Sequence, residues 1–184
     1  MKMILSVLTL LALMGCQSHE NDSSELSSQP EDVKTPVAEK DRASSTVTAE
    51  GKVSPLEFNL TNLSGEVVKA SAFRGKWLVL NYWATWCAPC RDEIPELVQF
   101  QKDHENVQIL GIAYEDASVE KLQNFAADFA VNYPLLTMDI YNPPAFAAEG
   151  GLGLPTTIVY NPEGMRHKKH MGPIDYKGLQ ELIK

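Results

Sequence analysis

A chain of 184 residues with 44% hydrophobic and 8% aromatic content can build one ordinary domain with appendages. Its formal net charge of −8 supplies no general attraction toward nucleic acid, and that class of partner is set aside. Three cysteines, Cys16, Cys87 and Cys90, are too few for a disulfide framework or for a four-cysteine zinc site within the chain.

Taken from the N-terminus, MKMILSVLTLLALMGC (1–16) has one early lysine, an apolar run from Met3 to Met14, and then Gly15-Cys16. The run is too short to span a bilayer comfortably and its flanks fit an export signal. Leu13–Cys16, LMGC, resembles the lipobox of bacterial lipoproteins. That resemblance implies a signal peptide over 1–15 and acylation of Cys16 as the mature N-terminus. It also implies a lipid anchor in the bacterial cell envelope, with the remainder facing the periplasm. Each methylene of an acyl chain buried in lipid contributes about 0.8 kcal/mol to such an anchor. In an exported compartment disulfide chemistry is available.

The following 36 residues (17–52) are rich in Ser, Glu, Asp and Thr and contain no aromatic residue. Such a segment buries too little apolar surface to offset its ordering entropy, so 16–52 is expected to be a disordered tether behind the lipidated cysteine. As a flexible chain it would span roughly 35 Å.

From 53 to 184 the pattern is that of one α/β domain. PLEFNL and EVVKA suggest short strands around a turn at Asn62–Gly65. KWLVLNYW (76–83) is a nearly continuous apolar run, as in a strand buried on both faces. After the cysteines, Ile94, Leu97, Val98 and Gln101 follow helical spacing, with Pro95 predicting a kink. VQILGIAY (107–114) reads as a second buried strand. SVEKLQNFAADFAV (118–131) reads as an amphipathic helix with Ser118 at the cap and a stripe of Leu122, Phe125, Ala126 and Phe129. YPLLTM suggests a short strand, and PPAFAAEGG (143–151) a short helix ended by glycines. TTIVY and MRHKKHMG flank the turn NPEG (161–164) as a hairpin, and Asp175 caps a last helix in DYKGLQELIK. Alternating strands and helices followed by a hairpin predict a central mixed sheet flanked by helices.

Cys87 and Cys90 form a C-x-x-C pair directly after the buried strand and at the start of a helix. There the two Cα atoms can lie within the ~4.4–6.8 Å a disulfide requires. Helix N-terminal N–H groups and the helix dipole stabilise a thiolate, which is the nucleophilic form. Pro89 is tolerated because first-turn N–H groups have no intrahelical partner. A structural disulfide and half of a metal site remain the alternatives to a redox couple. His167 and His170, three apart on a strand, point to opposite faces and make a poor metal pair, so no metal site is expected. The basic residues around them suit an exposed sheet edge.

GKWLVLNYWATWCAPCRDEIPEL (75–97), with GLPTTIVYNPEG (153–164), closely resembles the thioredoxin superfamily. Within it the match is to TlpA/ResA-type thiol–disulfide oxidoreductases. The likeness covers about 53–184, and 114–138 resembles the extra helix–strand insert of that branch. It implies a thioredoxin-like fold, with Cys87 as the attacking cysteine and Cys90 as the resolving one. It makes Glu93 the acidic residue that exchanges protons with the pair, and Pro155 the cis-proline beside it. Trp86, Ala88, Pro89, Leu154 and Pro155 are then the substrate-docking surface. Asn81 stands where thioredoxin itself has a buried Asp; asparagine cannot titrate, which shifts proton handling toward Glu93.

The resemblance implies a reductase of exported protein disulfides, with apocytochrome c as the favoured client and with no bound cofactor. Its expected partners are protein disulfides or dithiols and a membrane electron-donor thiol protein. A disulfide-introducing oxidase of the same fold and a non-enzymatic redox-switched binding module are the competing readings. A thiol peroxidase is a third, but LNYWATWC (80–87) lacks the proline and the threonine of the Pro-x-x-x-Thr-x-x-Cys context.

Overall fold

The computed structural model describes residues 54–184; the signal peptide, Cys16, the tether and Val53 lie outside the described residues. Strands β1 (Asn59–Asn62), β2 (Val67–Lys69), β3 (Trp77–Trp83), β4 (Val107–Ala113), β5 (Leu135–Thr137), β6 (Thr156–Tyr160) and β7 (Arg166–Met171) form one sheet. Helices α1 (Ala88–Asp103), α2 (Val119–Asp128) and α3 (Tyr176–Leu182) complete the regular structure with three short 3₁₀ turns. The sheet order is β2-β1-β5-β4-β3-β6-β7. β3 pairs parallel with β4, and β4 with β5, whereas β6 runs antiparallel to β3. The result is the mixed sheet the sequence predicts.

The apolar run of β3 divides by strand alternation. Val79 and Trp83 face one core with Ile94, Leu97 and Phe100 of α1, Leu122 and Phe125 of α2, and Leu179 of α3. Leu78, Leu80 and Tyr82 face the other core. All three helices pack on the first face; for α1 and α2 this follows from the parallel order β3, β4, β5, whose successive crossovers of one hand lie on the same side of the sheet. The second face is covered by Leu56, Phe58, Ala70 and Ala147 from the N-terminal extended segment and the 3₁₀ turns. Phe58 stacks on Phe146 there at 5.0 Å.

Local signals in the sequence correspond to observed caps and turns. Ser118 Oγ accepts from the Lys121 amide at 3.2 Å, and Asp175 Oδ1 accepts from the Gly178 amide at 2.7 Å. In the β6–β7 turn, Asn161 Oδ1 accepts from the Met165 amide and Gly164 adopts φ +82°, a conformation that favours glycine. α1 continues through Pro95, which lacks the N–H that would bond the Arg91 carbonyl. His104 ends α1, its Nδ1 3.0 Å from the Phe100 carbonyl and its ring stacked on Phe100 at 4.0 Å.

Two boundaries differ from the sequence reading. The first strand begins at Asn59 rather than Pro55, because Leu56 and Phe58 turn into the second core and the Leu56 amide donates to the Gly164 carbonyl. Residues 143–151 do not form an α-helix; Ala145–Ala147 and Gly150–Leu152 are separate 3₁₀ turns. Pro143 and Pro144 remove two amide donors, and Gly150-Gly151 weaken continuation.

Candidate active site

Strand directions gather the candidate residues at one edge of the sheet. β3, β4 and β5 end there; β6 starts there, because Thr156 pairs with Tyr82; β7 ends there, because Met171 pairs with Thr156. Crevices at the carboxyl ends of parallel strands, where neighbours lie in opposite directions along the chain, are where such sheets bind partners. Here β3 has β4 on one side and β6 on the other.

Cys87 caps α1 from a non-helical backbone conformation, and Cys90 lies one turn inside. The two form a disulfide with Cα atoms 5.3 Å apart. The Cys90 amide donates to Cys87 Sγ at 3.3 Å, and the Arg91 amide donates to the Cys87 carbonyl at 3.2 Å. A Cys90 amide held in this position would donate to a Cys87 thiolate after reduction, which favours the charged form. Cys87 is 5% exposed and Cys90 1%, so both sulfurs are largely covered. Ala88 and Pro89 between them are exposed, and Trp86 is 67% exposed. The Leu154–Pro155 peptide bond is cis, with Leu154 half-buried and Pro155 buried. The Gly172 amide donates to the Pro155 carbonyl at 2.9 Å, which ties this loop to the end of β7.

Glu93 is 2% exposed, with both carboxyl oxygens bonded. Asn81 Nδ2 donates to Oε1 at 2.7 Å and the Ile174 amide donates to Oε2 at 2.9 Å. Burial pushes its pKa up from 4.5 to about 7, while the Asn81 and Ile174 donors oppose the rise. The group therefore changes protonation near neutral pH, the range in which a general acid or base is most useful. Beside it an open cleft of about 460 Å³ is lined by Asp92, Glu93, Glu96, His170, Ile174 and Asp175. Buried Tyr133 has its phenol pKa raised by burial and by the neighbouring Glu93 charge.

The sequence reading treats Asn81 as a position that cannot titrate. The structure adds that Asn81 is the donor that holds Glu93, and that it also reaches Thr157 Oγ1 at 3.3 Å. Thr157 and Ile174 escape the sequence reading, because they come from elements distant along the chain. Thr85 and Glu115 do too, although an acid immediately beyond a buried strand was a usable signal. Glu115 accepts from the Thr85 amide at 2.6 Å. Among the described residues, Trp83 Nε1 is the buried side-chain donor without a partner.

The model of the AhpC/TSA family matches residues 51–165. The thioredoxin-like protein YneN of Bacillus subtilis is 31% identical over 135 residues, covering 73% of this chain and 78% of its own. The thiol–disulfide oxidoreductase ResA of Geobacillus kaustophilus is 32% identical over 123 residues, 65% of this chain and 67% of its own. A thiol:disulfide interchange protein of the thioredoxin family from Chlorobium tepidum superposes with a TM-score of 0.61. That structure is 25% identical, and the match covers 73% of this chain and 97% of the other.

Proposed function

Because the chain belongs to the AhpC/TSA family of thioredoxin-like proteins and is a thiol–disulfide oxidoreductase of the ResA type, we propose that it reduces disulfides of exported proteins. The observation that carries this reading is the Cys87–Cys90 disulfide at the head of α1. In the reduced enzyme, Cys87 thiolate attacks one sulfur of a client disulfide. A mixed disulfide forms and the client's other sulfur leaves as a thiolate. Cys90, losing its proton, attacks Cys87 Sγ, which closes the enzyme disulfide and expels the second client thiolate. Two electrons pass from the enzyme dithiol to the client, and a membrane dithiol protein returns them. The sulfur pair is the whole electron carrier, so the cycle uses no bound cofactor.

Glu93, one turn beyond Cys90, is the proposed proton acceptor and donor in this cycle. Its pKa near 7 supports both roles. Trp86, Ala88, Pro89, Leu154 and Pro155 form the proposed client-docking surface beside the sulfurs. A signal peptide over 1–15, an acylated Cys16 and a tether to residue 52 would hold the domain at the cell envelope, facing the periplasm. Apocytochrome c is the favoured client by likeness to this branch.

The reduction potential of the Cys87–Cys90 couple tests the direction of transfer. A reductase is expected near thioredoxin, about −270 mV; a strongly oxidising value near −120 mV would reverse the assignment to an oxidase. Survival of in vivo function after replacing both cysteines by serine would instead favour the binding-module reading.

A further inference from the structure

Thr85 lies two residues before Cys87, on the loop that leaves β3 and carries the exposed Trp86. Its amide donates to Glu115 Oε1 at 2.6 Å, and its hydroxyl donates to Oε2 at 3.1 Å. Lys121 Nζ of α2 donates to the same Oε2 at 2.8 Å. The Glu115 side chain is 5% exposed, whereas that of Lys121 is 52% exposed. Burial pushes the Glu115 pKa up, but the Lys121 and Thr85 donors outweigh it and hold the carboxyl below the usual carboxylate range. A carboxylate with three donors makes charge-assisted hydrogen bonds, stronger than neutral ones.

The end of the β3–β4 ladder and the α2 cap are completed by other groups. Tyr114 already closes the β3–β4 ladder, its amide bonding the Trp83 carbonyl at 2.8 Å, and Ser118 already caps α2. Among the described residues, the only other hydrogen bond within Ala84–Trp86 is that from the Cys87 amide to the Ala84 carbonyl, at 3.2 Å. Glu115 is thus the side chain that fixes this loop. It reaches the loop from the start of the α2–β5 insert.

We propose that Glu115 is a positioning residue for exchange with polypeptide disulfides: it clamps Thr85 so that the Trp86 ring and Cys87 Sγ are presented together. The inference rests on the exchange chemistry of Cys87. A polypeptide must contact Trp86 while one of its sulfurs meets Cys87, so it depends on their relative placement. A small disulfide needs only the sulfur at the helix head. There the bonds from the Cys90 and Arg91 amides belong to α1 and do not involve Glu115.

The test compares two oxidised substrates of the reduced full chain: an extended synthetic peptide with one intramolecular disulfide, and 2-hydroxyethyl disulfide. Glu115→Ala is expected to lower kcat/KM for the peptide about tenfold, chiefly through KM, since small misplacements at a reacting centre are costly. Its rate with the small disulfide should stay within about twofold of the parent. Glu115→Gln keeps an acceptor for the Thr85 amide and should recover most of the loss. Thr85→Val removes only the hydroxyl bond, should fall between, and carries the same comparison if Glu115→Ala does not fold. Unchanged peptide kinetics in both variants, or equal losses on the two substrates, would overturn the positioning role. A parent protein inert toward both disulfides would contradict the exchange chemistry itself.

Discussion

Replacing Glu93 by glutamine should flatten the dependence of folding stability on pH. In the folded protein the buried carboxyl has a pKa of about 7, against 4.5 without its surroundings. Between those values the native state holds a proton that the unfolded chain has lost. Stability therefore falls as pH rises through this window: the contribution is full below about 4.5 and is lost as pH passes about 7. A difference of about 2.5 in pKa, at 1.36 kcal/mol for each, corresponds to about 3 kcal/mol. Glutamine cannot titrate, so the variant lacks this slope, while groups elsewhere cancel in the difference between the two proteins. Urea unfolding of the oxidised proteins at a series of pH values from about 4 to about 8 measures it, with the disulfide keeping the cysteines from titrating. A constant offset from altered hydrogen bonds is expected and is immaterial; the slope is the readout. Parallel curves for the two proteins, or a difference that grows with the opposite sign, would refute the burial of an ionisable Glu93.

Asn81→Leu removes the donor to Glu93 Oε1, a bond to a charged group contributing about 1.5–3 kcal/mol. The Glu93 pKa should rise from about 7 to about 8 or higher, as read by carboxyl carbon NMR titration. Trp86→Ala should leave the unfolding free energy within about 0.5 kcal/mol, because the ring is 67% exposed, yet lower peptide-disulfide kcat/KM about fivefold or more. Gly150→Ala should destabilise by about 1–3 kcal/mol in urea titration, since its Cβ would overlap the Tyr82 ring. Gly153→Ala is the control: its backbone is extended at φ −178°, and a Cβ would meet Met171 Cε at an ordinary 3.4 Å.

Features of the fold governed by neighbours in sequence were legible there. β3 announced itself as an apolar run, Ser118 and Asp175 as caps, and NPEG as a turn, because each depends on a few consecutive residues. The segment 143–151 reads as one short helix ended by glycines, but the chain makes two separate 3₁₀ turns there, because Pro143 and Pro144 remove amide donors and the paired glycines weaken continuation. In the site, the cysteine pair was visible by its spacing after the strand, and Glu93 through the resemblance to TlpA/ResA-type proteins. Their environment was not: Asn81, Thr157 and Ile174 meet Glu93 or each other across separations of 12, 76 and 81 residues. The Thr85–Glu115 clamp likewise joins two strand ends 30 residues apart. Such contacts follow from strand order, which one-dimensional pattern does not specify.

The division of labour between the two sulfurs is tested most directly by a Cys90→Ser variant exposed to oxidised exported proteins. The account predicts a stable mixed disulfide through Cys87, because the attack proceeds and the resolving sulfur is missing; a Cys87→Ser variant should capture nothing. Failure of Cys90→Ser to form an adduct, or capture through Cys90 in the Cys87→Ser protein, would contradict it.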